Sequence, residues 1–413
     1  MPWLTAIALV ISFAACSGGP EPVQSLRDRA DKSLAQSPGI NAQDLHRDAL
    51  VFDAHVHIGN RQFYQGRDLA ERYSDGHVDL PRLSEGGLDA MFFSLSTSEA
   101  YYPERFETKH ALRVMDAGLR QIEKYPDQIG VALNASDIER IVASGRIAAV
   151  LDLEGSIDLD GDLGVLRMFH RLGLRSLQLP AHNWPNAYAD SCCAEHLWGG
   201  LNDHGRDFIR EMNRLGMVIN VSHSSDETLE QAIATSQHPV VATHHGLRHF
   251  NDIPRVMPDH LLLKIAAKGG VVGFHIGHSF HSRAFFEWKS ARDGRAFWDT
   301  TDIEERVKGK SIAEIDGMVA PRYPSVGPIP PPDLRMSVGD WLEVVEYAIG
   351  LVGDDHVALG SDFDGGPTPP SPMSDASDLP LLTAGMLERG WSEERIRKFL
   401  GGNLLRVFRE VTQ

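Results

Sequence analysis

Residues 50–57 read Leu-Val-Phe-Asp-Ala-His-Val-His, a short apolar run that ends in two histidines one residue apart. Side chains along an extended segment alternate with a period of two, so His55 and His57 fall on one side. The same grammar recurs down the chain. Candidate strands are Leu50–Ala54, Ala90–Leu95, Ala148–Leu153, Leu174–Leu179, Val218–Val221, Val240–Thr243, Val271–His275 and Val357–Gly360. Amphipathic helical stretches separate them, for example 206–215, 226–233 and 258–267, which reads as repeated βα units and a parallel sheet. Eight strands are the number that closes a (β/α)8 barrel, so the expected fold is α/β of the TIM type.

Chemistry-bearing residues follow these strands. Glu154 ends the third, His182 follows the fourth, His223 the fifth, His244 the sixth and Asp362 the eighth. Singly, each has an ordinary explanation: His-x-His is often incidental, Glu154 could be a strand-end carboxylate, His182 a loop histidine, and Gly360–Gly365 a turn. Together they place imidazoles and carboxylates at the carboxyl ends of the strands, where barrel active sites lie. That donor set suits a pair of divalent metal ions such as zinc.

The remainder of the chain fits around this frame. Its 413 residues are 42% hydrophobic and 23% charged, enough for a large core and unlike a disordered or fibrous protein. A formal net charge of −17 opposes approach to phosphate backbones and anionic membrane surfaces, so no nucleic-acid partner is expected. A long interruption, about 278–337, falls between the seventh and eighth strands. It holds Trp288, Trp298 and the run Tyr323-Pro-Ser-Val-Gly-Pro-Ile-Pro-Pro-Pro332, too long for a simple barrel loop and expected to be a lid or a packed excursion. The last stretch, Ser392–Val411, starts with a candidate N-cap and two glutamates in its first turn, and is expected to close the barrel from outside.

At the front, Leu4–Ala15 is an uncharged apolar run followed by Cys16-Ser17-Gly18. It is too short to span a bilayer and reads as a signal segment with a lipobox-like end, although Phe13 and the lack of Lys or Arg before Cys16 depart from that pattern. The expected organisation is a signal or lipoprotein-type segment 1–16, a linker 17–47 and a metal-dependent barrel 48–413. The expected location is the bacterial periplasm or cell envelope, with any membrane attachment through a lipid on Cys16. Cys192 and Cys193 are adjacent, an arrangement that seldom forms a bridge, and are expected to be packed thiols.

Several strings produce a family resemblance. They are Gly76-His-Val-Asp-Leu-Pro-Arg-Leu83, Asn213-Arg-Leu-Gly-Met217 running into Val221-Ser-His-Ser-Ser-Asp226, Asn251-Asp-Ile-Pro-Arg255, Gly360-Ser-Asp-Phe-Asp-Gly365 and Asn403-Leu-Leu-Arg-Val-Phe408. From about Asp48 to the C-terminus, outside the interruption, the chain resembles the renal (membrane) dipeptidases, peptidase M19 of the amidohydrolase superfamily. The resemblance implies a zinc-dependent dipeptidase with two metal ions: His55 and His57 on one, His223 and His244 on the other, and Glu154 bridging. It implies Asp362 as the proton shuttle, His182 as a catalytic and substrate-binding histidine, and Arg248 as the cation for the substrate carboxylate; Asp364, beside the shuttle, is expected to have a structural or substrate-orienting (substrate-binding) role near the site. Either His244 or His245 could be the ligand, and the family pattern aligns His244. The family usually has His-x-Asp on the first strand, so His57 leaves the site one negative charge poorer. A small dipeptide is the implied partner, with a D-residue tolerated at its C-terminal position; a homodimer is compatible with the sequence. Two other classes compete: a metal-dependent phosphoesterase or nuclease on the same barrel, and a non-catalytic envelope lipoprotein. Fold and ligand types alone do not separate the first; the acidic charge and the strings around His77, His182 and Arg248 disfavour it. A scaffold role has no need of Asp362.

Overall fold

A computed structural model describes residues 41–413 apart from 156–161 and 297; the expected signal segment and most of the expected linker lie outside these residues. Nine strands form: β1 (Phe52–Val56), β2 (Ala90–Ser96), β3 (Ile129–Val131), β4 (Ile147–Glu154), β5 (Ser176–Gln178), β6 (Val218–Asn220), β7 (Val241–His245), β8 (Val271–His275) and β9 (Val357–Gly360). Every pairing is parallel, in the order β1-β2-β4-β5-β6-β7-β8-β9. The three-residue β3, too short to leave a sequence signal, pairs only with the start of β4.

The ring nearly closes between β1 and β9. Val56 bridges Phe363, His57 N–H donates to the Phe363 carbonyl at 2.9 Å, and Asp362 N–H donates to the His55 carbonyl at 2.9 Å. Below them the Asp53 carboxylate accepts from His55 N–H (3.0 Å) and Ser361 N–H (2.9 Å), replacing ladder bonds that the seam lacks. Buried backbone donors need such partners.

The barrel interior grades from apolar to polar. On β2 and β4, Phe92 and Val150 are followed two residues on by Ser94 and Asp152, then by Ser96 and Glu154 at the carboxyl end. Helices cover the outside with apolar stripes. One, Asp203–Leu215, is capped by Asn202 and buries Phe208, Ile209 and Met212; it stops at Gly216, whose φ of 69° a side chain would resist.

Three sequence expectations are corrected. Residues 42–48, placed largely in a linker, form the helix Ala42–Asp48: Asn41 accepts from Gln43 and Asp44 N–H, and His46 is buried between Thr383 and the Gly86 carbonyl. The C-terminal stretch is broken into Glu393–Arg397, a wide turn and Asn403–Val411. Its Leu404, Val407 and Phe408 join Phe52, Ala54 and Phe92 in one cluster, with the Phe408 ring 6.2 Å from that of Phe92. Because Phe92 faces the interior, this helix plugs the amino-terminal end of the barrel rather than lying alongside it. Finally, Cys192 and Cys193 are joined in a disulfide within a turn.

Between β8 and β9 the chain makes the helices Arg283–Asp293, Ile303–Val307 and Ile312–Val319, then enters the helix Val338–Val352, which Ser337 and Asp340 cap reciprocally and which leads into β9. Ile303, Val307, Ile315 and Val319 pack on Ala100 and Tyr101, after β2. Among the described residues no helix is long and apolar enough to cross a membrane.

Candidate metal centre

Glu154 sits at the carboxyl end of β4, almost wholly buried, with imidazoles around both of its oxygens. Oε1 lies 3.1 Å from His223 Nε2, 3.4 Å from His244 Nε2 and 3.7 Å from His55 Nε2, while Oε2 lies 3.3 Å from His57 Nε2. His55 and His57 approach to 3.1 Å, as do His223 and His244, and Asp362 Oδ1 is 2.9 Å from His57. Three donor groups emerge: His55, His57 and Asp362; His55, Glu154 and His244; Glu154, His182 and His223. Ligands on a tetrahedral ion bonded at roughly 2.0–2.1 Å are separated by about 3.3 Å, so these spacings and the imidazole and carboxylate chemistry fit two divalent ions sharing Glu154.

Electrostatics favour ligation. Burial and the nearby Arg255 hold His223 well below the usual histidine range, and burial with the charge on His55 does the same for His244, so both offer lone pairs. Burial would raise Glu154 and Asp362; the surrounding histidines, His57 and His223 for the first and His275 and His57 for the second, hold both ionised well below the carboxylate range. Burial opposes charge on His55, yet Asp152 and Glu154 outweigh it and lift its pKa to about 10, so a cation at this position must displace a proton.

The backbone is unusual at the same place. Among the described residues, those other than glycine with positive φ are Arg105 (59°), His182 (48°), His223 (62°), Asp362 (59°) and Asp364 (62°). Such conformations cost on the order of 1 kcal/mol or more each and collect at functional sites. The His182 loop is tied down by Asn186, which accepts from Tyr188 and Ala189 N–H, and by Asp190, which accepts from Leu197, Trp198 and Gly200 N–H. His182 turns Nε2 toward Glu154 (3.7 Å), and its Nδ1 is hydrogen-bonded to the buried Glu99. Burial opposes charge on His182, but Glu99 raises its pKa.

A cavity of about 650 Å³ opens over the centre, lined by His57, Glu154, His182, His223, His244 and Asp362 on the barrel side and by Phe280, Ile303, Met318, Arg322 and Tyr323 from the β8–β9 excursion. Two expected substrate residues are not there. Arg248 is paired bidentately with Asp226 (2.7 Å each) in a separate cleft, its guanidinium already satisfied. Asp364 is buried away from the cavity, held by Arg61 and by His77 N–H. His245 faces away from the ligand cluster and accepts from Met257 N–H. Of the cations that line the cavity, Arg255, Lys289, Arg295, Arg306 and Arg322, the buried one is Arg255, 1% exposed, whose Nη2 donates to the His244 carbonyl at 3.2 Å. Its Nε and Nη1 have no hydrogen-bond partner, and burial pushes the guanidinium down to about 10 against the pull of Glu154 and Asp362. Arg255 stands within the quoted string Asn251–Arg255; its separation from His244, eleven residues, concealed it behind the nearer Arg248. His275, a strand-end histidine for which packing is the ordinary explanation, also lines the cavity. It accepts from Gly277 N–H at Nδ1 (2.8 Å), so Nε2 carries the proton and donates to Asp362 Oδ2 at 3.0 Å.

The family model for the membrane dipeptidases (peptidase family M19) matches residues 40–413. The dipeptidase tcpJ of Claviceps purpurea is 31% identical over 360 residues, covering 85% of this chain and 72% of that one. The crystal structure of the probable dipeptidase PvdM from Pseudomonas aeruginosa superposes with a TM-score of 0.74 at 23% identity, covering 90% of this chain and 97% of the other. A metallo peptidase from Rhodobacter sphaeroides, solved with a phosphinate mimic of the dipeptide L-Ala-D-Ala, has a TM-score of 0.69 at 24% identity, covering 88% and 99%.

Proposed function

From the premise that this chain belongs to the membrane dipeptidase family, we propose how its residues divide the work of hydrolysing a dipeptide. The enzyme is a metal-dependent dipeptidase with a binuclear centre. The observation that carries this is the convergence of His55, His57, Glu154, His223, His244 and Asp362 on one point of the barrel mouth. His55, His57, Glu154, His223 and His244 would hold two divalent ions, zinc by donor chemistry, which would supply an acidified water and a Lewis acid for the peptide carbonyl.

The chain's own groups do the rest. Arg255, a buried residue of the cavity lining whose Nε and Nη1 lack a hydrogen-bond partner, binds the free carboxylate of the substrate, the role the resemblance implied for Arg248. A carboxylate so held at the floor limits substrates to short ones. Asp362, ionised, takes the proton of the attacking water and returns it to the leaving amine. His182, charged through Glu99, directs Nε2–H at the oxygen that becomes negative. The excursion's Phe280, Ile303, Met318 and Tyr323 wall the cavity and set side-chain preference. A D-residue at the C-terminal position is within its scope, a reading supported by the L-Ala-D-Ala mimic on the Rhodobacter relative. The apolar run before Cys16 supports export to the envelope with a lipid on that cysteine.

The test is release of free amino acid from L-L and L-D dipeptides by the zinc-loaded protein, with Asp362→Asn as control. Turnover falling by about 10²–10⁴-fold in the variant is expected; hydrolysis of phosphoesters but of no dipeptide overturns the reading.

A further inference from the structure

Behind the metal centre lies a carboxylate that the mechanism above does not use. Asp152 is 0% exposed, on β4 two residues before Glu154 and on the same face of the strand. Its Oδ2 is 3.3 Å from His55 Nδ1, and neither of its oxygens meets a full hydrogen bond elsewhere among the described residues. Its register neighbours on either side, Ser94 and Ser176, leave their hydroxyls unpartnered as well. An ionised carboxylate at such depth is too costly to persist without a cationic partner, and His55 is the one it faces.

The other ligand imidazoles are backed differently. The Thr243 hydroxyl stands 3.0 Å from His244 Nδ1 and 3.4 Å from His55 Nδ1, whereas Nδ1 of His57 and of His223 has no partner. His55 alone among the four has a carboxylate behind it. The ligand set itself carries only the two carboxylates of Glu154 and Asp362 against two divalent ions, with the Arg255 guanidinium buried nearby. A carboxylate on the far nitrogen of a ligand histidine fixes ring orientation, increases the donor strength of the near nitrogen and adds negative charge.

We propose that Asp152 is a positioning residue of the metal centre: it orients His55 through Nδ1 and supplies the negative charge that a histidine at position 57, unlike a carboxylate, does not bring. This rests on the binuclear reading above, and its test therefore reads metal binding rather than turnover. Zinc is titrated into the chelated protein against a chromogenic chelator, and retained zinc is counted by elemental analysis. Wild-type protein is expected to keep two ions; if it keeps none, the binuclear reading itself fails. Asp152→Asn is expected to weaken one of the two sites by about 10–100-fold, with the melting temperature of the chelated protein unchanged. Adding His57→Asp in that background is expected to regain most of the lost affinity. Unchanged zinc affinities in Asp152→Asn, or a loss that His57→Asp leaves untouched, overturns the proposal. A measurement on wild-type protein decides the matter if the variant does not fold. With 15N-labelled histidine and zinc bound, the His55 Nδ1 proton is expected further downfield than those of His57 and His223, and a resonance indistinguishable from theirs overturns it.

Discussion

Two arginines seven residues apart show how burial and partners decide a role. Arg248 is partly exposed and spends both ends of its guanidinium on Asp226; such a pair contributes about 1 kcal/mol or less. Arg255 is buried with two free donors over the cavity. Arg255→Ala is therefore expected to lower kcat/KM for dipeptides by roughly 10- to 100-fold, the value of a charge-assisted pair, while Arg248→Ala leaves it within about twofold; steady-state kinetics on one dipeptide compares them. Equal losses would return the role to Arg248. The ligand residues were legible because each follows an apolar run. Arg255 and Glu99 were not, since each lies on a segment whose approach to the centre depends on how the segment folds back; His275 ends β8, where a lone histidine reads as packing.

Among the elements, the β8–β9 excursion is the part that distinguishes this cavity from a bare barrel mouth. Its second and third helices are anchored on the turn after β2: Ile303, Val307, Ile315 and Val319 pack on Tyr101, whose hydroxyl donates to Asp316 at 2.8 Å, and Arg113 pairs with Asp316 at 2.7 Å. The same turn carries Glu99, the partner of His182, so wall and site share an anchor. Ile315→Ala removes fully buried apolar volume at a cost of about 2–4 kcal/mol. The expected result is a several-fold rise in KM with kcat little changed; a variant that loses thermal stability but keeps KM would show the wall to be independent of substrate binding. The Pro-rich run gave no hint of these helices, which the Ser311 and Glu314 capping box does mark in sequence.

For the molecule as a whole, the barrel and its centre are coupled, because the ligands come from β1, β4 and β7 and from the loops after β6 and β9, and pull opposite sides of the ring together. An ion that binds only the folded chain stabilises it by about 4 kcal/mol per site at a thousandfold excess over Kd. Chelation is accordingly expected to lower Tm by several degrees, with zinc restoring it, as read by calorimetry; a Tm indifferent to both would mean that no ion binds the folded chain in preference to the unfolded one. The sequence by itself determined the eight-stranded α/β barrel and the ligand positions, because apolar periodicity and strand-end polar residues are local properties of the chain. Only the tertiary structure decided that Arg255 and not Arg248 reaches the cavity, that the last helix plugs the barrel's end, that Asp53 ties the seam, and that Asp152 backs His55. These depend on which side chains burial leaves without partners, and that is fixed by segments distant in sequence meeting in space.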